Sequence, residues 1–431
     1  MNTYPAYKDS GEQWLGQIPE HWEVGRLANY FSERREKVSD TVFAPLSVTK
    51  NGIFPQLDNV AKSNDGENRK GVRKGDFVIN SRSDRKGSSG VSELDGSVSL
   101  INIVLSPRET IIPAYCNYFL KSQNFIEEYY RNGRGIVADL WTTRYSEMKL
   151  IKLAIPPLDE QEAMVSYLDE QTGKIDAAIE REQKMIDLLE ERKQIIIQQA
   201  VTKGLNPNAS LKDSGIEWIG AIPEGWNKKR FKYMFQTSTG VSFTKDQLES
   251  EGNPVLSYGQ VHSKLNKSGT LNEELIKFIP NSLVAGKDNC LVYKGDFIFA
   301  DTSEDFEGCG NNIYVDTDYP VYAGYHTIIA RKQNDEYGKY LGYLFASRPW
   351  RGQVRTRVNG VKVYSITQGI LNGAWVILPP KGEQMAIADY LDKVVGIIDK
   401  EEIHRNRLIS LLRERKQIII NEVVTGKIKV S

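Results

Sequence analysis

Three cysteines are all that the 431 residues contain, and no two of them form a CxxC pair. So few thiols cannot build a disulfide framework, and we therefore expect the protein to work in a reducing cytoplasm. Long apolar runs are also missing: no stretch approaches the roughly 18 residues of a membrane-spanning helix. The polar segment Met1–Ser10 does not have the pattern of a signal peptide. The aromatic fraction of 10% excludes a disordered chain.

A net charge is absent too, since 56 basic and 56 acidic residues cancel. If the protein binds nucleic acid, it must do so through local basic patches or with the help of a basic partner. The length and the apolar fraction of 40%, by contrast, are sufficient for two or more domains with well-packed cores.

Motifs of several enzyme classes are missing as well. Gly286-Lys287 is followed by Asp288 and not by the serine or threonine of a phosphate-binding loop, and neither Pro-Pro pair lies in a methyltransferase tetrapeptide. The four histidines are far apart, without the spacing of a metal site. We therefore predict a binding protein that has no catalytic residue, no metal site and no cofactor of its own.

An internal repeat organises the chain. Lys8–Trp22 returns as Lys212–Trp226 with ten of fifteen positions identical. Further along, each half repeats Lys-Gly-Asp-Phe (from Lys74 and Lys294), Pro-Pro-x-x-Glu-Gln (from Pro156 and Pro379) and Glu-Arg-Lys-Gln-Ile-Ile-Ile (from Glu191 and Glu414). Between these segments, residues 40–70 and 80–145 have no recognisable counterparts in 240–290 and 300–365. This pattern indicates one scaffold used twice to carry two different surfaces.

The variable parts and the unit ends differ in local pattern. The variable parts contain short β-prone runs with a few helical segments, which predict a compact globule in each half. The ends carry heptad stripes that predict a long helix in each half. The expected boundaries are a first globule at 1–157, a helix at 158–203, a linker at 204–211, a second globule at 212–380 and a second helix at 381–427.

We expect an α+β fold: two globular mixed α/β domains, each followed by a long helix, with the two helices paired as an antiparallel coiled coil of pseudo-two-fold symmetry. The globules would then lie at the two ends of a ruler. The predicted helix-pair seam consists of Leu168, Ile175, Ile179, Ile186, Leu189 and Ile196, and of Leu391, Ile398, Ile409, Leu412 and Ile419. Charged residues interrupt this seam at Glu182, Lys193, Arg405 and Lys416. They could fix the register, face a third chain, or simply extend outwards.

Basic loops in both variable parts are the candidate sites. They combine Arg and Lys, which contact phosphates, with Arg and Asn, which read base edges in a major groove. The candidate DNA-binding residues are Lys62, Arg69, Arg73, Arg82, Arg85, Lys86, Arg131 and Arg134 in the first half, and Arg351, Arg355, Arg357, Asn359 and Lys362 in the second. The alternative for any one loop is a solvated charged surface.

The repeated segments resemble a known family. Lys-Asp-Ser-Gly-x-x-Trp-Leu/Ile-Gly-x-Ile-Pro-Glu-x-Trp opens each half, and Ile/Leu-Pro-Pro-x-x-Glu-Gln leads into a helix that contains Glu-Arg-Lys-Gln-Ile-Ile-Ile. Both are similar to segments of the specificity (S) subunit of type I restriction-modification enzymes. The resemblance covers the whole chain, twice and in the same order.

The resemblance implies that each globule is a target recognition domain for one half of a bipartite, asymmetric site on double-stranded DNA. It implies that the helix pair is a spacer that docks two modification (M) subunits, which bind S-adenosylmethionine and methylate adenine. Restriction (R) subunits would supply cleavage with ATP and Mg, and the S subunit would catalyse nothing. No contact residue can be carried over, because the family's recognition loops have no fixed motif.

Two other functions remain open from the sequence. The chain could be a self-contained nuclease or methyltransferase, which would need a catalytic cluster that the sequence does not display. It could also be a coiled-coil adaptor that presents two protein-binding globules. Binding to DNA that weakens with salt would separate the adaptor from a DNA reader.

Overall fold

The computed structural model describes residues 3–56, 66–135, 141–266, 271–333, 335–360 and 362–430. The chain divides into two compact units. The first consists of Met1–Gln183 with Asn406–Ser431, and the second of Lys184–Arg405. Within the described ranges, no helix combines the length and the apolar character that a membrane span requires.

The first unit is a mixture of short strands and helices. Its strands are β1 Tyr7–Asp9, β2 Gln17–Pro19, β3 Glu23–Arg26, β4 Phe31–Glu33, β5 Lys37–Val38, β6 Leu46–Thr49, β7 Gly52–Pro55, β8 Arg69–Val72, β9 Phe77–Asn80, β10 Ser89–Val91, β11 Gly96–Val98, β12 Asn102–Pro107 and β13 Lys152–Ile155. Its short helices are α1 Leu27–Tyr30, α2 Pro113–Leu120, α3 Gln123–Arg131 and α4 Tyr145–Met148.

An antiparallel sheet with the order β10-β9-β12-β4 lies at the centre of this unit. Smaller antiparallel groups, β11-β8-β5, β6-β7, β13-β3 and β1-β2, surround it. The sheet buries Phe77 and Ile79 against α2 and α3, whose Tyr115, Phe119 and Phe125 are fully buried. Large aromatic side chains therefore hold this sheet and its helices together.

The second unit is also a mixture of short strands and helices. Its strands are β14 Leu211–Asp213, β15 Ala221–Pro223, β16 Asn227–Arg230, β17 Phe235–Thr239, β18 Asn253–Leu256, β19 Lys277–Ile279, β20 Leu291–Val292, β21 Phe297–Ala300, β22 Thr302–Ser303, β23 Asn312–Tyr314, β24 Val321–Ala323, β25 Thr327–Lys332, β26 Tyr364–Ser365 and β27 Trp375–Leu378. Its short helices are α6 Tyr258–Val261, α7 Asn281–Val284, α8 Gly338–Ala346, α9 Arg348–Arg355 and α10 Gln368–Asn372.

Two four-stranded sheets form the body of the second unit. One has the order β17-β25-β21-β23, and the other has the order β19-β18-β24-β20 with β18 and β24 parallel. The pairs β16-β27, β14-β15 and β22-β26 complete the strand pairing. Phe297 and Phe299 on β21 pack with the buried Phe345 and Trp350 from α8 and α9.

Two long helices, α5 Leu158–Lys203 and α11 Lys381–Val424, contribute one half each to both units. In the first unit, Trp22 bonds Glu160 near the start of α5 and lies beside Gly426 after the end of α11, whereas Asp176 meets Lys416. In the second unit, Trp226 bonds Glu383 near the start of α11 and lies beside Gly204 after the end of α5, whereas Lys193 meets Asp399. Both arrangements require antiparallel helices, which confirms the predicted pairing.

The repeated segments turn out to be the joints of the two units. The indole N–H of Trp22 donates to Glu160 at 3.1 Å, and that of Trp226 donates to Glu383 at 3.0 Å. These bonds tie the opening segment of each half to the Glu of its own Pro-Pro-x-x-Glu-Gln segment. We call the side-chain hydrogen bonds made by Glu160, Glu383, Gln161, Gln384, Asp76 and Asp296 the frame.

The Gln of the same segment is fully buried in both halves. Gln161 accepts from the Ile112 N–H and donates to the carbonyl oxygens of Thr110 and Pro156, each at 2.9 Å. Gln384 accepts from the Tyr337 N–H and donates to the Pro379 carbonyl, also at 2.9 Å. The side-chain amide of glutamine can accept a hydrogen bond from a backbone N–H group and donate to a backbone carbonyl oxygen at the same time, which explains why Gln occupies this position in both halves.

The Lys-Gly-Asp-Phe segment is a turn that leads into the central strand of each unit. The carboxylate of Asp76 accepts from the Arg73 N–H at 2.8 Å, and that of Asp296 accepts from the Tyr293 N–H at 3.0 Å. The glycine before each Asp has a positive φ, 92° and 100° respectively, which other residues rarely adopt. The turn therefore needs both residue types.

Candidate nucleic-acid interface

Backbone hydrogen bonds join the two candidate loops of the first unit. Thr142 exchanges N–H···O bonds with Arg134 at 3.0 and 3.1 Å. On its other side, Thr142 forms an antiparallel β-bridge with Arg82. Beside it, the Thr143 N–H donates to the Ser81 carbonyl at 2.9 Å. The loop after β9 and the loop after α3 therefore meet on one surface. We call residues 81–86, 131–135 and 141–143 the first platform.

The second unit builds the same arrangement from different residues. Ser365 lies between Thr302 and Asn359, as Thr142 lies between Arg82 and Arg134. The Ser365 N–H donates to the Asn359 carbonyl at 3.1 Å, and the Ile366 N–H donates to the Asp301 carbonyl at 2.7 Å. We call residues 301–303, 355–360 and 362–366 the second platform.

The first platform presents exposed guanidinium groups. The side chain of Arg134 is 83% exposed and that of Arg85 is 68% exposed, and Arg82 is exposed as well. Arg131 keeps 66% of its side chain exposed while it bonds Glu128 at 2.8 Å. Lys86 is half-exposed and paired with Glu127 at 2.5 Å. The structure thus brings together five of the predicted residues.

The second platform exposes Arg357, Asn359 and Lys362. Arg355, in contrast, turns back onto the unit: its side chain is 12% exposed and pairs with the Glu307 carboxylate at 2.9 Å. A side chain held in this way has little surface left for DNA. Three of the five predicted residues of this half are therefore available on the platform, and Arg355 supports it.

Arg351 is also part of the support. It donates to the side-chain oxygen of Asn311, whose amide donates to His262 Nδ1 at 3.0 Å. Nε2 of that histidine bonds the carbonyl oxygen of Thr302 at 2.8 Å. Burial lowers the pKa of Arg351 to about 10. This polar chain ends on the second platform and holds strand β22 in place.

Two predicted residues of the first half, Arg69 and Arg73, lie away from the first platform. Arg69 is buried at 6% exposure on β8 and donates to the side-chain and backbone oxygens of Ser97, so its position is structural. Arg73 pairs with Glu36 at 3.0 Å and lies over the Phe43 ring. Lys62 lies outside the described residues.

The helix seam is apolar where it was predicted and charged at two equivalent places. Every predicted seam residue is buried or half-buried. Lys193 is buried among Glu190, Asp399 and Glu402, the last two at 3.3 and 3.1 Å. Its repeat equivalent, Lys416, pairs with Asp176 at 2.6 Å.

These lysines fix the helix register within each unit. Burial alone would lower the pKa of Lys193, but the three carboxylates together raise it to about 12. Asp399 is the repeat equivalent of Asp176, so the same cross-helix pair forms once in each unit. Of the remaining seam charges, Arg405 bonds Glu401 on its own helix at 2.6 Å, and Glu182 also has an interaction partner.

Two equivalent apolar pairs stay exposed on the helices. Leu188 and Ile195 on α5 are 51% and 45% exposed, and Leu411 and Ile418 on α11 are 53% and 47% exposed. A spacing of seven residues places each pair on one helix face. Apolar side chains this exposed on one face are typical of a surface that binds another protein.

Among the described residues, the side chains that could act as nucleophiles or metal ligands are not arranged for either role. In the described part of the chain, no cluster of His, Cys, Asp and Glu could hold a metal ion. Cys116, Cys290 and Cys309 are free and buried, and burial raises the pKa of each thiol. Buried thiols of high pKa are poor nucleophiles.

Comparisons with known proteins agree with this architecture. Residues 223–411 match the family model described as the type I restriction modification DNA specificity domain. The chain is 25% identical to a protein of Methanocaldococcus jannaschii described as the MjaX specificity subunit of a type I restriction enzyme, over 96% of both chains. It is 23% identical to the type I restriction enzyme EcoKI specificity subunit of Escherichia coli, over 96% of this chain and 90% of that protein.

The fold has a solved counterpart as well. A chain from a structure that concerns complex assembly and conformational transition of the type I R-M system superposes with a TM-score of 0.62 at 16% identity. The superposition covers 95% of this chain and 99% of that chain. Residues 223–411 thus match a domain of this kind, and over nearly its whole length the chain is similar to type I restriction enzyme specificity subunits.

Proposed function

We propose that each unit reads one half of a bipartite, asymmetric site on double-stranded DNA, through the first platform and the second platform respectively. The helix pair sets the spacer between the half-sites and docks two M subunits. Catalysis, with S-adenosylmethionine on the M subunits and ATP and Mg on R subunits, belongs to these partners and not to this chain.

One observation carries the reading role: the two platforms have the same backbone construction and unlike side chains. Thr142 and Ser365 occupy the same place between two loops, yet the loops present Arg82 and Arg134 in one unit and Thr302 and Asn359 in the other. Two domains that read different DNA sequences need a common backbone construction and different side chains. The common backbone presents the loops to the groove in the same way, while the different side chains select the bases.

The exposed apolar pairs support docking of two partner molecules. Leu188 with Ile195 and Leu411 with Ile418 are the same two positions of the repeat. A surface that occurs twice in equivalent form suits a partner that is present in two identical copies. Because burying leucine and isoleucine away from water lowers the free energy of the complex, each pair provides an anchor for one M subunit.

Matched substitutions on the two platforms test the reading role. The complex with the M subunit is prepared with Arg134→Ala or with Arg357→Ala, and its methylated adenines are mapped in cellular DNA. We expect each variant to relax or weaken recognition of one half-site only, by about tenfold if a base edge is contacted. Lys294→Ala, which removes an exposed lysine from a frame turn, is the matched control and should keep the wild-type motif.

The same experiment can refute the proposal. If either arginine variant relaxed both half-sites together, the units would not read independently. If the complex showed no salt-dependent binding to DNA duplexes, the protein-binding adaptor would be the better interpretation. Methylation or cleavage by the isolated chain with S-adenosylmethionine, ATP and Mg would instead favour a self-contained enzyme.

A second pair of variants tests docking. Leu188→Asp and Leu411→Asp each place a charge in one exposed apolar pair without touching the buried seam. Each single variant should bind one M subunit in place of two, and the double variant should bind none, as measured by the mass of the purified complex. Two bound M subunits in the double variant would contradict the proposed docking surface.

A further inference from the structure

His326 has a backbone conformation that residues other than glycine rarely adopt. Its φ is 54°, and it is the one non-glycine residue with a positive φ in the described part of the chain. Left-handed backbone of this kind is strained for residues other than glycine, and such strain is often retained at functional positions. His326 lies between β24 and β25, where glycine would fit without strain.

The strained residue lies next to the second platform. The Asp301 N–H donates to the His326 carbonyl at 3.1 Å, while the Asp301 carbonyl accepts from the Ile366 N–H at 2.7 Å. Asp301 therefore connects the histidine to the segment that also carries Ser365 and Asn359. The sequence pattern did not single out His326, because an isolated histidine carries no motif.

Its imidazole is fixed in orientation and still open to solvent. The side chain is 57% exposed, and its Nδ1 lies 3.2 Å from a carboxylate oxygen of Asp301. The rings of Tyr258 and Tyr325 meet it edge-on, with centroids at 5.6 and 6.0 Å. Two aromatic side chains and one carboxylate thus fix the orientation of an imidazole that is exposed and does not belong to a hydrophobic core.

The contact with Asp301 also determines whether the second ring nitrogen of His326, Nε2, donates or accepts a hydrogen bond. An ionised carboxylate accepts hydrogen bonds and cannot donate them, so in the neutral form of the imidazole Nδ1 carries the proton. Nε2 is then an acceptor, and it has no hydrogen-bond partner among the described residues. An acceptor does not bind an anionic phosphate, but it does bind an amino group.

In the major groove, exocyclic amino donors belong to two bases, adenine through N6 and cytosine through N4. We propose that His326 Nε2 accepts a hydrogen bond from such an amino group in the half-site read by the second unit, and that Asp301 is its positioning residue. This inference rests on the proposed reading role of the second platform and names one of its specificity-determining residues.

The choice of variants separates reading from folding. His326→Gly removes the ring and relieves the backbone, so the chain should be at least as stable as the wild type by thermal unfolding. His326→Asn keeps a side chain that can accept a hydrogen bond and that tolerates the same backbone. Tyr319→Ala is the matched control, because Tyr319 is 43% exposed at the opposite end of β24.

Binding of the complex with M subunits is measured against duplexes in which each base pair of the second half-site is replaced in turn. We expect the wild type to prefer A or C at one position by about tenfold, and His326→Gly to lose the preference there alone. At that position, a base analogue without its amino group should weaken wild-type binding by a similar factor and leave His326→Gly binding unchanged. His326→Asn should retain part of the preference, and Tyr319→Ala all of it.

Two results would overturn the inference. His326→Gly could keep full discrimination at every position, which would make the ring irrelevant to reading. It could also lose discrimination at all positions equally, which would indicate a general structural role. Both results leave the proposed function intact, since that function fails on different outcomes, such as an arginine variant that relaxes both half-sites together or the absence of a two-part motif.

Discussion

Lys193 and Lys416 occupy the same position of the repeat but differ in burial, and this difference predicts unequal costs for the same substitution. The Lys193 side chain is 11% exposed, and its partners Asp399 and Glu402 are 18% and 13% exposed. The Lys416 side chain is 27% exposed, and its partner Asp176 is 56% exposed. Replacing either lysine by Met keeps most of the side-chain volume and removes only the charge.

The expected magnitudes follow from solvent screening. Removal of one partner from a buried ion pair costs about 3–5 kcal/mol, because the remaining charges stay unpaired away from water. Since the carboxylates around Lys193 keep some exposure, we take the lower end, about 3 kcal/mol. An exposed pair is worth less than about 1 kcal/mol. For a unit of this size, about 3 kcal/mol corresponds to a fall of about 6–12 °C in its unfolding midpoint.

Thermal unfolding of the full chain, followed by helical circular dichroism, measures both variants. We expect Lys193→Met to lower the midpoint strongly and Lys416→Met to lower it by about 4 °C or less. Adding Glu402→Leu to Lys193→Met removes one of the carboxylates that face the lysine and should recover part of the loss. Equal losses for the two lysines would refute the reasoning, because burial would then not decide the strength of these pairs.

The frame, the buried arginine and the proposed spacer give three further predictions. Gln161→Ala and Gln384→Ala should each cost about 3 kcal/mol in unfolding free energy, since each leaves buried backbone groups without partners. Arg69→Met should lower the unfolding midpoint and leave the salt dependence of DNA binding unchanged, whereas Arg134→Ala should reduce its slope by about one. One heptad inserted in α5 after Gln183 and one in α11 after Arg405 lengthens the helix pair by about 10 Å, so the mapped spacer should grow by about three base pairs.

Much of the architecture could be predicted because its signals are periodic or repeated. The heptad stripes indicate two long helices, and α5 and α11 have them where the stripes run. The antiparallel pairing follows from chain connectivity, since two copies of one unit must bring their helices together. The seam charges were ambiguous in the sequence, because a lysine in an apolar slot can point outwards or inwards. Lys193 points inwards because Asp399 and Glu402 face it from the other helix.

The candidate site could be predicted only as a set of loops. A high density of Arg and Lys locates basic segments, but it does not reveal which cations have partners elsewhere in the fold. Arg355 meets Glu307, 48 residues earlier in the chain, and Arg351 meets Asn311, 40 residues earlier. Neither pairing leaves a local pattern in the sequence. Asp301 and His326 were missed for the same reason, since their contact depends on the β21–β25 pairing.

The kind of hydrogen bond explains which segments repeat and which diverge. The frame depends on side chains: Glu160, Gln161 and Asp76 each accept from a specific N–H group, and few other residues could replace them. The platforms are joined by backbone bonds, in which Thr142 and Ser365 take part through groups that every residue except proline possesses. A backbone joint fixes the position of a loop while its side chains remain free to differ. The chain can therefore keep one geometry in both units and present a different surface on each.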